Sequence, residues 1–158
     1  MTVRAVGRIA PAIAADHVRA ACSLALLIAA GMHVAVGLEH AGSDFGALSL
    51  AAALAQAALA AVLFTTRSRV VLQAVILLNL LFVQLYVLNV AVGLPPAIAH
   101  THIGGTHQLW GMTLAWPGVV EWQGVLAKTT ELIAVGCAVW CAHVGGARGA
   151  LATPGRGE

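Results

Sequence analysis

Two histidines near the end of the first long apolar segment have a spacing that suits metal binding. His33 and His40 are seven residues apart, almost two helical turns, so both imidazoles would lie on one helix face, with Glu39 beside the second. The segment HTHIGGTH supplies three further histidines: His100, His102 and His107. Imidazole and carboxylate groups are ligands of zinc and copper(II), so the sequence predicts a transition-metal site with Glu39 as a ligand or as a neighbour of one.

The spacing of the three later histidines leaves a second explanation open. HxHxxxxH matches no standard zinc-binding motif, and histidine is also a common surface residue, so these side chains could be polar loop groups. His40 and Glu39 could likewise be a solvated helix end. His33 differs because it lies about two helical turns deeper, in a zone where an ionisable group usually faces the bundle interior and has a partner.

Other polar residues lie at a similar depth in the apolar segments. They are Gln56, Gln84, Asn89, Lys128 and Glu131. For the three amides, the favoured interpretation is hydrogen bonding that fixes how the helices pack. Burial of an ammonium or a carboxylate is far more expensive, and Lys128 and Glu131, three residues apart, could offset that cost by pairing on one helix.

The composition is that of an integral membrane protein. Of 158 residues, 60% are hydrophobic and only 9% are charged, and the mean hydropathy is +0.91. A soluble domain would have about a quarter of its residues charged. The net charge of +2 and the dispersed arginines exclude a nucleic-acid-binding surface.

Four apolar stretches are long enough to cross a bilayer as helices, which takes about 20 residues. They cover approximately residues 17–38, 46–65, 70–93 and 117–144. The sequence therefore predicts an all-α four-helix membrane bundle over residues 1–145, with a long loop at 94–116 and a disordered tail at 146–158.

The positive charges predict how the bundle is oriented. With four spans, all the arginines fall at one end of the bundle, which by the positive-inside rule is cytoplasmic, together with both termini. The five histidines of the predicted metal site then lie at the extracytoplasmic end of a multi-pass protein of the plasma or inner membrane, near Trp110, Trp116 and Trp122 as interfacial anchors.

The three cysteines fall within apolar segments. Cys22, Cys137 and Cys141 are odd in number and away from exposed loops, so no structural disulfide is predicted. Near His17 and His143 they could receive copper(I), although buried packing is the favoured role.

The stretch from His33 through GLEHAGSDFGALSLAAALAQAALAAVLFTTRSR, the stretch LNLLFVQLYVLNVAVGLP and the glutamate of the last helix resemble a group of small four-span bacterial membrane proteins. The group shows EH after the first helix, AxxQ in the second and GLP after the third. The resemblance covers about residues 30 to 135 and implies no activity. It marks His33, Glu39, His40, Gln56, Asn79, Tyr86 and Glu131 as matching positions.

Three functions follow as hypotheses. The leading one is handling or sensing of copper or zinc without catalysis. The second is a non-catalytic accessory or assembly subunit of a larger membrane complex, and the third is a small proton-coupled carrier that uses Glu131 and Lys128, with a homodimer supplying the missing half. No haem or nucleotide is expected, since His33 has no facing histidine on another helix.

Overall fold

A computed structural model gives the backbone of residues 3–99 and 105–151 and the side chains of residues 14–99 and 105–144. Helix α1 runs Val3–Glu39, α2 Asp44–Thr65, α3 Arg69–Ala91 and α4 Trp122–Leu151. Each contains a segment long and apolar enough to cross a membrane. The predicted all-α four-helix membrane bundle is confirmed.

Two helices extend beyond the predicted spans, and α4 starts later. The spans within α1 and α4 are Ala14–Glu39 and Trp122–Val144. Residues 117–121 are not helical, because the Gly118 amide donates to the Asn89 carbonyl, 2.8 Å away, and so holds the chain against the end of α3. At the other terminus, α4 continues to Leu151, and residues 152–158 lie outside the described structure.

The start of α2 follows from its local sequence. The Ser43 side chain accepts a hydrogen bond from the Gly46 amide at 3.0 Å, the usual N-cap arrangement, and Asp44 places a negative charge in the first turn. A Cβ at Gly46 would lie 3.1 Å from the Gly37 carbonyl oxygen and would also collide with the His40 carbonyl oxygen. Glycine is therefore required where α1 and α2 approach each other.

The helices pack in the spatial order α2, α1, α4, α3. Helix α1 contacts α2 and α4 extensively and α3 contacts α4, whereas the contact between α2 and α3 is much smaller. Residues 66–68 join α2 to α3 at one end of the bundle, here called the turn end; the opposite end is called the hairpin end. Many leucines and valines on the outward helix faces are exposed, as is Phe64, which suits contact with a lipid bilayer.

The half of the bundle next to the turn end, here called the turn half, is filled by small and aliphatic side chains. Its core consists of Cys22, Ala25, Leu26, Ala60, Leu63, Leu72, Val75, Ala134, Ala138 and Cys141. At the rim of this core, the Arg19 guanidinium donates to the carbonyl oxygens of Leu63 and Thr66 and satisfies two acceptors at the end of α2.

A β-hairpin occupies part of the predicted 94–116 loop. Strands β1 (Thr106–Leu109) and β2 (Met112–Ala115) pair antiparallel. Trp110 and Gly111 have φ of 49° and 78°, as a two-residue type I′ turn requires. The Ala115 amide donates to the Leu94 carbonyl at 2.8 Å, so the hairpin is held to the segment that follows α3.

Candidate functional site

Glu131 is the centre of a polar network inside the bundle. Its side chain is fully buried, and its Oε1 lies 2.9 Å from His33 Nε2 on α1. The same oxygen accepts from Gln56 Nε2 on α2 at 3.2 Å. Lys128 Nζ donates to both carboxylate oxygens at 2.8 Å. One carboxylate therefore joins three of the four helices.

Lys128 and Glu131 form an ion pair in which one positive and one negative charge balance. The two residues are one helical turn apart on α4, and the Lys128 side chain is only 13% exposed. Its Nζ also lies 5.7 Å from the ring centroid of Phe82 and 6.0 Å from that of Tyr86, both on α3. A buried carboxylate without such a partner would be strongly destabilising.

Two amide side chains extend the network to α3, the remaining helix. Gln56 Nε2 donates to Asn79 Oδ1 at 3.1 Å, and Asn79 Nδ2 donates to the Val75 carbonyl at 2.7 Å. Gln56 and Asn79 are both fully buried. His33, Gln56, Asn79, Lys128 and Glu131 are together called the polar network below.

A cavity lies on the hairpin side of the polar network. It encloses about 920 Å³ of space, its open mouth included. Most of its wall is apolar, with Phe45, Leu48 and Ala52 on α2 facing Phe82 and Leu85 on α3. His33, Lys128, Tyr86 and Asn89 supply polar groups. Because Leu48 is 45% exposed and also lines the cavity, the cavity reaches the outer surface of the bundle beside α2.

The predicted metal ligands are dispersed in the structure. His33 contacts Glu131; His40 Nδ1 lies 3.0 Å from the Val36 carbonyl oxygen; and His107 Nε2 lies 2.8 Å from the Val92 carbonyl oxygen. Glu39 is exposed. His100 and His102 lie outside the described residues. Among the side chains of residues 14–99 and 105–144, no three His, Cys, Asp or Glu residues form a group that could hold a metal ion. The metal site stays a prediction.

The three cysteines lie at the turn end and are free thiols. Cys22 and Cys141 belong to the apolar core, against which Cys137 packs, and Cys22 Sγ donates to the Ala134 carbonyl at 3.4 Å. These contacts agree with the packing role favoured from the sequence.

The predicted intramembrane polar residues divide into two sets. Gln56, Lys128 and Glu131 belong to the polar network, and Asn89 is buried in the cavity wall. Gln84 is exposed on the outer face of α3, although its depth made it a candidate partner of His33. Depth along a helix therefore did not determine which residues face inward.

Three residues of the site were not predicted from their estimated depth in the membrane. Asn79, Phe82 and Tyr86 lie three and four residues apart and so share one face of α3, whereas Gln84 is turned about 140° away from Asn79. Asn79 and Tyr86 were indicated only by the resemblance to the four-span bacterial group. The three- and four-residue spacing of polar and aromatic residues along α3 could have identified all three.

Comparison of the chain with protein-family models, curated proteins and solved structures gave no match. The fold and the site define the class of protein: a four-helix membrane bundle with a polar network, centred on a Lys–Glu ion pair, beneath a largely apolar cavity.

Proposed function

We propose that this protein binds a small lipophilic molecule in the cavity, with a polar head group of the ligand directed toward the polar network. The observation that carries the proposal is the position of His33 and Lys128 in the wall of an otherwise mainly apolar cavity. Ligand sites characteristically combine an apolar wall with a few polar groups that orient the ligand.

A role of the polar network in packing alone explains less of the site. Hydrogen bonds among Gln56, Asn79 and Glu131 would fix the order of the helices without any cavity. Packing specificity gives no reason for Lys128 and Tyr86 to border a space that is open to the surface, whereas ligand binding does.

The closed turn half favours binding over passage through the bundle. The apolar core around Leu26, Leu63 and Val75 occupies the route from the polar network to the turn end. A ligand therefore enters and leaves from the cavity side, as in a receptor, a scavenging protein or one state of a carrier.

The topology we propose follows from the arginines. The turn end faces the cytoplasm and the cavity opens toward the extracytoplasmic half of the plasma or inner membrane. Lipid-soluble compounds concentrate in the bilayer, so a cavity at this depth has direct access to them.

The proposal is tested by filling the cavity. Ala52→Leu adds bulk to a residue that is 6% exposed and lines the cavity, and Leu48→Trp narrows the mouth from a half-exposed position. Ala58→Leu makes the same change as the first variant on an exposed position of α2 and is the matched control. Each protein is purified in mild detergent, extracted with organic solvent and analysed by mass spectrometry.

We expect a lipophilic compound in stoichiometric amount with the wild type and with Ala58→Leu. Both cavity variants should contain several-fold less of it. The same extracted compounds in the same amounts from all four proteins would refute the proposal.

A further inference from the structure

We infer that the ligand carries a neutral carbonyl head group rather than an ionised acid. This inference rests on the proposed function and specifies the ligand class of the same cavity. Two features of the cavity support it: its charge balance and its available hydrogen-bond donors.

The charges of Lys128 and Glu131 already balance each other without a ligand. The Lys128 ammonium is held by both oxygens of the Glu131 carboxylate at 2.8 Å, so this pair is neutral. Glu121 is a second acidic residue of the cavity wall. An incoming carboxylate would leave excess negative charge in a largely apolar space, which is unfavourable.

The cavity nevertheless offers donors to a neutral acceptor. The Tyr86 hydroxyl is buried and has no hydrogen-bond partner among the described residues. The Lys128 ammonium has three N–H donors, and its hydrogen bonds to the two oxygens of Glu131 use two of them. One donor is left for a ligand. A carbonyl oxygen between Tyr86 and Lys128 would accept from both and leave the net charge unchanged.

The rest of the wall fits the apolar part of such a molecule. Phe45 on α2 and Phe82 on α3 provide ring surfaces, and Leu48 and Leu85 provide aliphatic surface. The ligand class is therefore a lipid-soluble ketone or related carbonyl compound with a hydrocarbon body.

Three probes of similar chain length separate the head groups: 2-tridecanone with a neutral carbonyl, laurate with an ionised carboxylate and tridecane with neither. Retention of each radiolabelled probe is measured on the full-length protein in lipid nanodiscs, with empty nanodiscs subtracted. The variants are Tyr86→Phe, which removes one donor and keeps the ring, and Ala52→Leu. Thr129→Val, which removes an exposed hydroxyl on α4, is the matched control.

We expect the wild type and Thr129→Val to bind 2-tridecanone more tightly than laurate or tridecane. Tyr86→Phe should weaken 2-tridecanone binding about tenfold, the worth of one hydrogen bond, and leave tridecane unchanged. Preference for laurate, or ketone binding that does not change in Tyr86→Phe, would overturn the inference while leaving the cavity as a binding site. If no probe is retained, or if Ala52→Leu does not reduce the retention of any probe, the proposed function itself is wrong.

Discussion

The Glu131 carboxylate has three side-chain partners, and they do not contribute equally. His33 and Gln56 each supply one hydrogen bond to Oε1, whereas Lys128 supplies the opposite charge. Loss of Gln56 or His33 leaves the Lys128–Glu131 ion pair in place. Loss of either ion leaves the other buried without a counter-charge, which is the more expensive change.

Glu131→Gln should therefore destabilise the bundle by about 3–5 kcal/mol, because the Lys128 ammonium stays buried without its carboxylate. The double variant Lys128→Met, Glu131→Gln should recover much of this loss, since neither ion of the pair remains. Both are measured by equilibrium unfolding in mixed micelles. Equal stabilities of the single and double variants would contradict the assigned role of the ion pair.

The metal hypothesis is tested at the histidines. The sequence predicts bound copper or zinc in the wild type and its loss in the double variant His33→Ala, His40→Ala. Metal content of the protein in detergent, before and after a chelator, is measured by mass spectrometry. Because His33 contacts Glu131, the single variant His40→Ala is the cleaner comparison. Equal, substoichiometric metal in all proteins would refute the hypothesis.

Helices α1 and α2 depend on a close backbone approach at the hairpin end. A Cβ at Gly37 would lie 2.7 Å from the Leu50 side chain, and one at Gly46 would collide with a backbone carbonyl. A side chain can move aside more easily than a carbonyl, so Gly46 is the more restrictive position.

Gly46→Ala should lower the free energy of unfolding by about 1–3 kcal/mol, because the added methyl group overpacks this contact. Gly31→Ala is the matched control on α1, since a Cβ there meets nothing within 4 Å. The control should be neutral or stabilising by up to about 1 kcal/mol, because alanine favours the helix. Unfolding of both variants under the same conditions measures the difference, and equal effects would contradict the packing argument.

The helices could be predicted from the sequence because length and hydrophobicity alone define a span. The short strands around Trp110 could not, since each has four residues and their pairing depends on contacts with Leu94 after α3. Glu131 and Gln56 were identified by the cost of burying polar groups. Asn79 was not, because depth was counted without the rotation of α3 that turns Asn79 inward and Gln84 outward.

The whole molecule is asymmetric along the bundle axis. The turn half is filled by an apolar core, the polar network lies next to it, and the cavity occupies the hairpin half. The proposed binding and exchange of a ligand would therefore take place on one side of the membrane.

The orientation of this asymmetry is a prediction from the arginines. A reporter that is active only in the cytoplasm should work when fused after residue 158. A reporter that is active only outside should work when inserted at the hairpin turn, between Trp110 and Gly111. Activity of the two reporters in the reverse arrangement would show that the cavity opens toward the cytoplasm.

The ion pair on α4 also has a consequence for how the protein is made. Membrane helices insert before they pack, and a lone charge at the bilayer centre raises the cost of insertion by a few kcal/mol. Lys128 and Glu131 are three residues apart on one helix, so they can neutralise each other as soon as α4 forms. Helix α4 can therefore enter the bilayer before His33 and Gln56 are in place to solvate its carboxylate.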